Sequence, residues 1–230
     1  EMKIITLIRD QQLSREDEIE YIKNQGIDIP WEKAQYSINQ GLWGTSVGGA
    51  ETLTSHLPLP DSAYPSPLKE KEPVNVRLQF EKGELVDLNG NKSDSVSLIQ
   101  QLQELAQKYA IGRDIHVGDT IIGIKGRVGF EAAAPLILIK AHHLLEKHTL
   151  SKWQQYQKEQ LSNFYGMQLH EGQYLDPAMR DIEAFMESSQ ERVTGTVFLK
   201  LHPYRFELLG IESPFDLMQA EFGSYGEMNK

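Results

Sequence analysis

The chain has 230 residues and no cysteine, and its 33 acidic and 23 basic residues give a formal net charge of -10. A chain of this length buries about 70% of its unfolded surface, so its core needs no covalent support. The absence of cysteine excludes disulfides, thiolate zinc sites and cysteine nucleophiles, and it fits a reducing, cytoplasmic setting. The acidic balance opposes duplex nucleic acid or an anionic membrane as the main partner.

The N-terminal stretch EMKIITLIRDQQ starts on Glu1 rather than Met and lacks the basic, apolar and small-residue order of a secretory signal. Its segment MKIITLI predicts a strand. The chain ends on polar residues, FGSYGEMNK, without a completed helix. We therefore expect residues 1–230 to be a fragment of a longer protein. No apolar run reaches the roughly 18 residues that a membrane span needs.

The first half of the chain predicts a helix, a long loop and a hairpin. Ser14 is the expected N-cap of a surface helix that stops at Gly26. Residues 50–73 hold five of the ten prolines and predict a surface loop. The alternating segments VNVRLQF and ELVDLNG, joined by EKG, predict a hairpin that ends at Asn89-Gly90.

The second half predicts helices and strands in irregular order. Apolar residues at helical spacing indicate a helix from Asp94 to Tyr109, and Pro135 near the first turn indicates a buried helix through LILIKAHHLLEKHTL. The glycine-rich segment IHVGDTIIGIKGRVGFEA predicts a strand, a sharp backbone turn and a place where another group approaches closely. The other predicted elements are helices in SKWQQYQKEQLSNFYG and DPAMRDIEAFMESSQ, strands in RVTGTVFLKLH and FELLGI, and a helix in SPFDLMQAEF.

The fold class follows from the order of these elements. Strands and helices do not alternate strictly, which favours an α+β fold over a doubly wound sheet. We expect one large domain with several packed helices.

The segment YSINQGLWGTSVGG, residues 36–49, resembles a phosphate-binding loop because it holds four glycines. It has no lysine and no G-x-G-x-x-G spacing, so neither a Walker loop nor a dinucleotide turn fits. Two serines nine residues apart, Ser37 and Ser46, are left as candidate functional groups.

A metal site on the predicted buried helix is the next possibility. His142 and Glu146 are one helical turn apart, with His143 and His148 nearby. Nothing resembles H-E-x-x-H, so ordinary surface or hydrogen-bonded histidines are favoured. His116 is isolated in sequence, which favours a structural interpretation.

The charged residues of the glycine-rich segment leave two interpretations open. Asp114 and Asp119 are five apart in a strand, so their side chains tend to face opposite sides and suit acid and base chemistry poorly. Lys125 and Arg127, two residues apart beside glycines, either point together at an anion or form a solvated strand end.

The aromatic residues favour packing over nucleic acid binding. Core or subunit contact is the preferred role, over a base-stacking platform, for the aromatic set. This set comprises Trp43, Trp153, Tyr156, Phe164 and Tyr165.

Four stretches in order resemble the argininosuccinate synthase family, in its carboxy-terminal synthetase domain, and together cover nearly the whole chain. They are SREDEIEYIKNQGI, PWEKAQYSINQGLWGTS, IGRDIHVGDTIIGIKGRVGFEAAAPLILIKAHHLLEKHTL and VTGTVFLKL. The first two are fairly specific, and the last is weak alone.

The resemblance implies a cytoplasmic ligase of arginine biosynthesis and the urea cycle that couples citrulline to aspartate. ATP, with Mg²⁺, adenylates the ureido oxygen of citrulline; the aspartate amine then displaces AMP, and pyrophosphate is the other product. The resemblance also implies that Ser37 and Ser46 hydrogen-bond citrulline, since hydroxyls both donate and accept. It implies a homotetramer, with helices between residues 151 and 190 as the expected contact.

Two positions depart from the family pattern. Gly118 stands where the family has an acidic citrulline contact, and Phe130 stands where it has a tyrosine contact. Asp119 restores the carboxylate only if a bulge turns it to the same side, because neighbouring strand residues face opposite ways. These positions indicate either a rearranged pocket or a different grip on citrulline.

The ATP site is expected outside this chain. The family's pyrophosphate loop, S-G-G-x-D-[ST]-S, is absent from the sequence. We therefore expect an upstream domain to bind ATP and the isolated chain to be inactive, with a final C-terminal segment also missing. The alternative is a non-catalytic amino-acid-binding or assembly module, which would also explain Gly118 and Phe130.

Overall fold

A computed structural model describes residues 2–27, 35–220 and 223–224 of the chain. Within these residues helices and two main antiparallel sheets occur together, which confirms the α+β class. None of the described helices is both long enough and apolar enough to cross a membrane.

Helices and strands follow one another along the chain with these bounds. The helices are α1 Leu7–Gln11, α2 Arg15–Asn24, α3 Ser95–Ala106, α4 Ala133–Thr149, α5 Lys152–His170 and α6 Pro177–Gln190. The strands are β1 Ser37–Gly41, β2 Gly44–Gly48, β3 Val74–Glu81, β4 Glu84–Leu88, β5 Asn91–Lys92, β6 Arg113–Asp119, β7 Lys125–Glu131, β8 Gly195–His202, β9 Arg205–Glu212, β10 Gln219–Ala220 and β11 Gly223–Ser224.

The chain divides into two compact units. The first comprises the described residues within Glu1–Gly41, Thr45–Pro65 and Asp114–Phe130, and the second comprises those within Leu42–Gly44, Ser66–Arg113 and Glu131–Lys230. Strands β1, β2, β7 and β6 form a four-stranded sheet in that order, and β5, β4, β3, β8 and β9 form a five-stranded sheet.

The β6–β7 hairpin has one register along its whole length. At the tip, Thr120 N donates to Ile124 O at 3.2 Å, and just beyond the base Ala132 N donates to Gly112 O at 3.0 Å. In an antiparallel hairpin the numbers of opposite residues have a constant sum, because one strand counts up while the other counts down. Both pairs have the same sum, so the register does not shift between them. Gly123 at the tip has a φ of +82°, which supplies the sharp turn expected from the glycine-rich sequence.

Ion pairs join opposite residues at both ends of this hairpin. Asp119 pairs with Lys125 near the tip, where both side chains are exposed. At the base, Arg113 Nε lies 3.5 Å from Glu131 Oε2, and these side chains are only 11% and 2% exposed. Arg113 Nη2 also donates to Ser66 O at 2.6 Å. The pair at the base is therefore buried, whereas the pair near the tip is exposed.

The predicted loop packs on one side of the four-stranded sheet. Arg127 on β7 donates to the carbonyl oxygens of Glu51, Thr54 and Leu57 at 3.0, 2.6 and 3.0 Å. A Cβ on Gly129 would lie 2.1 Å from Leu59 Cδ1, so a larger residue there would displace this loop side chain. The loop is therefore fixed to the β7 strand, as the close approach predicted at these glycines requires.

The second unit contains the larger hydrophobic core. Alternate residues of the central strands β3 and β8 are buried, as expected for strands with one face against a core. Helix α3 packs against β4 and α4, and α4 also packs against β8 and β9. The residues that these strands and helices contribute include Val76, Leu78, Phe80, Leu98, Leu102, Ile137, Ala141, Leu145, Val197, Leu199 and Leu201.

Most predicted elements are confirmed. Ser14 caps α2 by accepting from Asp17 N, and Asp176 caps α6, with Pro177 as its first residue. The hairpin from VNVRLQF to ELVDLNG forms β3 and β4, and Lys82 and Gly83 at its turn both have positive φ. Residues 50–73 contain only two short 3₁₀ turns.

Two predicted elements are wrong. MKIITLI is predicted as a strand, but residues 2–6 are irregular and α1 begins at Leu7. Met2 and Ile4 are almost fully exposed, so these apolar residues gain no strand partner or buried face among the described residues.

The predicted helix in SPFDLMQAEF is also wrong within the described residues, because turns lead instead into the short strand β10. Ser213 Oγ donates to Thr194 O at 2.6 Å, and Asp216 contacts His148 at 3.0 Å. These long-range contacts hold the segment away from helical geometry. Pro135, expected near the first helical position, is the third residue of α4.

The two ion pairs of the β6–β7 hairpin give a stability prediction. Glu131→Gln should lower the free energy of unfolding by about 3 kcal/mol, because it removes the negative charge that faces the buried Arg113 guanidinium. Asp119→Asn, at the exposed pair of the same hairpin, should cost less than about 1 kcal/mol. Urea unfolding followed by circular dichroism measures both values. Equal effects of the two substitutions would contradict a structural role for the buried pair.

Candidate functional site

Ser37 and Ser46 lie on neighbouring strands and on the same side of the four-stranded sheet. Tyr36 and Val47 are buried together on the side of the sheet that the loop covers. Ser37 follows Tyr36 and Ser46 precedes Val47 in sequence, so both serines face the opposite side. The two-residue connection between Gly41 and Gly44 gives the same result, because a regular hairpin then places Ser37 opposite Gly48. We call this side of the sheet the serine face, and the side with Arg127 and Gly129 the loop face.

Gly118 and Phe130 also lie on the serine face. A Cβ built on Gly48 would be 3.9 Å from Val128 Cγ1, which places Val128 on the same side as Gly48 and Ser46. Phe130 is two residues from Val128, and Gly118 lies opposite Gly126 in the unshifted β6–β7 register. The structure therefore brings both serines and both positions that depart from the family pattern onto one face.

Asp119, Lys125 and Arg127 project from the loop face. Asp119 is the neighbour of Gly118 in a strand without a bulge, so its carboxylate does not replace an acidic side chain at position 118. Lys125 pairs with Asp119, and Arg127 uses both terminal nitrogens on loop carbonyls. These three residues thus contact one another or the loop and do not converge on the serines.

The two hydroxyls are available for hydrogen bonding. Ser37 is exposed and Ser46 is half-buried, and neither side chain has a hydrogen-bond partner within the described residues. On the loop face, Tyr36 Oη donates to Glu51 Oε2 at 2.8 Å. Burial, followed by this hydrogen bond, raises the pKa of Tyr36 to about 12. Tyr36 is thus a neutral packing residue, whereas the adjacent Ser37 is free to bind a ligand.

Two further polar residues on the serine face were not assigned to it from the sequence. Asp114, His116 and Gly118 are alternate residues of β6 and therefore face the same side of the sheet. Asp114 and His116 are exposed. A Cβ on Gly118 would lie 3.9 Å from His116 Nε2. The alternation of residues along β6 was a usable signal. Only the pairing of β6 with β7, and of β7 with β2, shows which alternate residues share the face with the serines.

Two histidines of α4, His142 and His143, lie beside a buried carboxylate in the second unit. Glu146 accepts from Lys158 Nζ at 3.2 Å and from Gln190 Nε2 at 3.0 Å, which joins α4 to α5 and α6. His142 Nδ1 and His143 Nδ1 lie 3.6 and 3.7 Å from its oxygens. Glu146 is therefore occupied in helix packing. Within the described residues, no group of three or more metal-binding side chains is close enough to hold a metal ion.

A cavity of about 420 Å³ lies beside this carboxylate in the second unit. Its lining is apolar at Phe80 and Ile139 and charged at Glu84 and Lys158. The lysine is already paired with Glu146. Glu84 accepts from Ser95 Oγ at 3.4 Å.

Helix α5 carries an exposed apolar stripe. None of its 19 residues is buried. Trp153, Tyr156, Phe164 and Met167 follow helical spacing, and the side chains of Trp153 and Met167 are 66% and 58% exposed. Tyr165, by contrast, donates to Glu183 on α6 at 2.7 Å. Trp43 lies in the β1–β2 connection and is also half exposed.

Comparisons with known proteins place this geometry in a family context. The profile of the arginosuccinate synthase C-terminal domain matches residues 36–230. The chain is 38% identical over 229 residues to argininosuccinate synthase of Methanocaldococcus jannaschii, covering 98% of this chain and 58% of that protein. It is 38% identical over 227 residues to argininosuccinate synthase of Dictyoglomus turgidum, covering 98% and 57%. The chain therefore spans a little over half the length of the curated relatives it matches.

The environment of His142 gives a pH prediction. Burial lowers the pKa of His142 below its ordinary value of 6.5, although Glu146 opposes this effect. Because the unfolded chain then binds the proton more readily, the free energy of unfolding should decrease as the pH falls through 6.5. His142→Gln should reduce this dependence, measured by urea unfolding between about pH 7.5 and 5.5. An unchanged dependence in the variant would show that other groups cause it.

Proposed function

Because the chain belongs to the argininosuccinate synthase family, we propose that it is part of an ATP-dependent ligase that joins citrulline to aspartate. The products are argininosuccinate, AMP and pyrophosphate, and the pathway is arginine biosynthesis. The observation that carries the proposal is the pair of hydroxyls, Ser37 and Ser46, on one face of the four-stranded sheet, without hydrogen-bond partners in the described part of the chain.

The two serines are proposed to bind and orient citrulline. A hydroxyl both donates and accepts, so it can bond either the N–H groups or the carbonyl oxygen of a urea. Each neutral hydrogen bond contributes about 1 kcal/mol net, so the pair fixes the position of the ureido group rather than supplying the rate enhancement. The activated ureido carbon is then held for attack by the aspartate amine.

ATP and its Mg²⁺ are proposed to bind mainly to a segment outside this chain. The sequence has no glycine-rich pyrophosphate loop, and the described residues contain no carboxylate cluster suited to a divalent cation. The curated relatives are longer than this chain by more than two fifths of their own length. A cytoplasmic location is proposed from the cysteine-free composition.

Assembly is the second part of the proposal. An exposed stripe of large apolar residues on α5 is typical of a protein–protein contact, because soluble proteins seldom leave such a surface uncovered. We assign this stripe to contact with a second copy of the chain in a homo-oligomer, with a tetramer as the expected form.

A non-catalytic assembly module is the alternative function. Gly118 and Phe130 favour it, because both lie on the serine face without the polar groups that the family pattern has there. In this alternative the stripe on α5 keeps its role, and the serine face binds no citrulline.

Substitution of the serines tests the two alternatives. Ser37→Ala and Ser46→Ala should each weaken citrulline binding about fivefold, since each removes one hydrogen bond of about 1 kcal/mol. Isothermal titration calorimetry of the 230-residue chain measures this. Ser55→Ala, which removes an exposed loop hydroxyl, is the matched control and should leave the affinity unchanged. An absence of citrulline binding by the unmodified chain would favour the assembly module.

The proposed division of the active site predicts an inactive isolated chain. The purified 230-residue chain should release no pyrophosphate from ATP in the presence of citrulline and aspartate, because it lacks the phosphate-binding loop. A coupled pyrophosphate assay measures this, with an intact argininosuccinate synthase from a relative as positive control. Citrulline-dependent release by the isolated chain would refute the division.

A further inference from the structure

We propose that Asp114 and His116 bind the α-amino-acid end of the substrate on the serine face. This inference rests on the proposed function, since it assumes that Ser37 and Ser46 contact the same amino acid. It adds two binding residues and predicts which chemical groups of the substrate each one contacts.

Strand register places both residues on the side of the sheet that carries the serines. In the unshifted β6–β7 register, Asp114 and His116 lie on the same side of the sheet as Gly118 and Phe130. This side is the serine face. The closeness of Gly48 to Val128 extends this face across β2 to Ser46. Ser46, Phe130 and the β6 residues Asp114, His116 and Gly118 therefore lie on three successive strands, β2, β7 and β6. Ser37 lies on the next strand, β1.

The spacing of the strands matches the length of the substrate. One strand, β7, separates Ser46 on β2 from His116 on β6, so the two backbones are about 10 Å apart. Asp114 and His116 are two residues apart on one strand, about 7 Å along it. An extended amino acid with a three-methylene side chain and a terminal urea has a comparable length. It can therefore contact the serines at one end and β6 at the other.

The side chains of Asp114 and His116 are both available to a ligand. His116 is exposed and makes no hydrogen bond or ion pair within the described residues. Its Nε2 lies 3.9 Å from the position of a Cβ on Gly118, so the imidazole occupies space beside a residue that has no side chain. Asp114 is also exposed, and in the described part of the chain its carboxylate accepts only from the adjacent Ile115 N, at 2.7 Å.

The chemistry of the two side chains complements the two charges of an amino acid. An imidazole N–H donates to a carboxylate, and an aspartate accepts from an ammonium group. The α-carbon of an amino acid carries these two groups together. Asp114 and His116 thus form an acceptor and a donor for the two charges, while neither Gly118 nor Phe130 offers a hydrogen-bonding side chain.

Calorimetry with L-citrulline tests the assignment in the 230-residue chain. His116→Ala and Asp114→Asn should each weaken binding about tenfold, as expected for a hydrogen bond to a charged group. Asp119→Asn is the matched control for Asp114, because it removes a carboxylate from the loop face of the same strand. His56→Gln, in the exposed loop, is the control for the imidazole. Both controls should keep the wild-type affinity.

Ligand analogues identify which group each residue contacts. The α-amide of citrulline should bind the unmodified chain about tenfold more weakly than citrulline, but should lose nothing further in His116→Ala. The analogue without the α-amino group should show the same pattern with Asp114→Asn. Additive losses in both comparisons would overturn the assignment.

The outcomes separate this inference from the proposed function. If the serine variants weaken binding and the Asp114 and His116 variants do not, this inference fails and the proposed function stands. If the unmodified chain binds no citrulline, both fail. Circular dichroism of each variant confirms that these exposed substitutions leave the fold intact.

Discussion

The register of the β6–β7 hairpin determines which residues the four-stranded sheet presents on each side. The backbone hydrogen bonds at Thr120 and Ala132 fix this register, and the buried Arg113–Glu131 pair joins its base. A shift of one residue would exchange the two faces of a strand. It would move His116 and Gly118 away from the serines and bring Asp119 beside them. The candidate site therefore depends on the backbone pairing of β6 with β7.

The loop face explains why the other side of the sheet is the candidate site. Arg127 donates to three loop carbonyls, and Leu59 packs against Gly129. Arg127 and Tyr36 on that face therefore already have hydrogen-bond partners in the loop. Among the described residues, the serine face keeps hydroxyl, carboxylate and imidazole groups without protein partners, apart from the local bond of Asp114. Free polar groups on a rigid sheet are suited to ligand binding.

The second unit uses its polar residues for packing. Glu146 receives Lys158 from α5 and Gln190 from α6, so a buried carboxylate joins three helices. This contact explains why the closely spaced histidines of α4 do not form a metal cluster among the described residues. It also holds α5 through polar contacts, while the apolar stripe with Trp153 and Phe164 remains exposed.

The sequence by itself determined the α+β class and most helices and hairpins, because caps, turns and alternation are local signals. The family resemblance singled out the two serines, and their role in binding citrulline stays a prediction. It misassigned MKIITLI and SPFDLMQAEF, since apolar pattern alone does not show whether a strand partner exists or whether Ser213 bonds to Thr194. The spacing of five residues predicted that Asp114 and Asp119 face opposite sides of a strand. Only the tertiary structure decided which of them shares a face with Ser46. That outcome depends on pairing between β2 and β7, about 80 residues apart in the chain, and no local pattern encodes it.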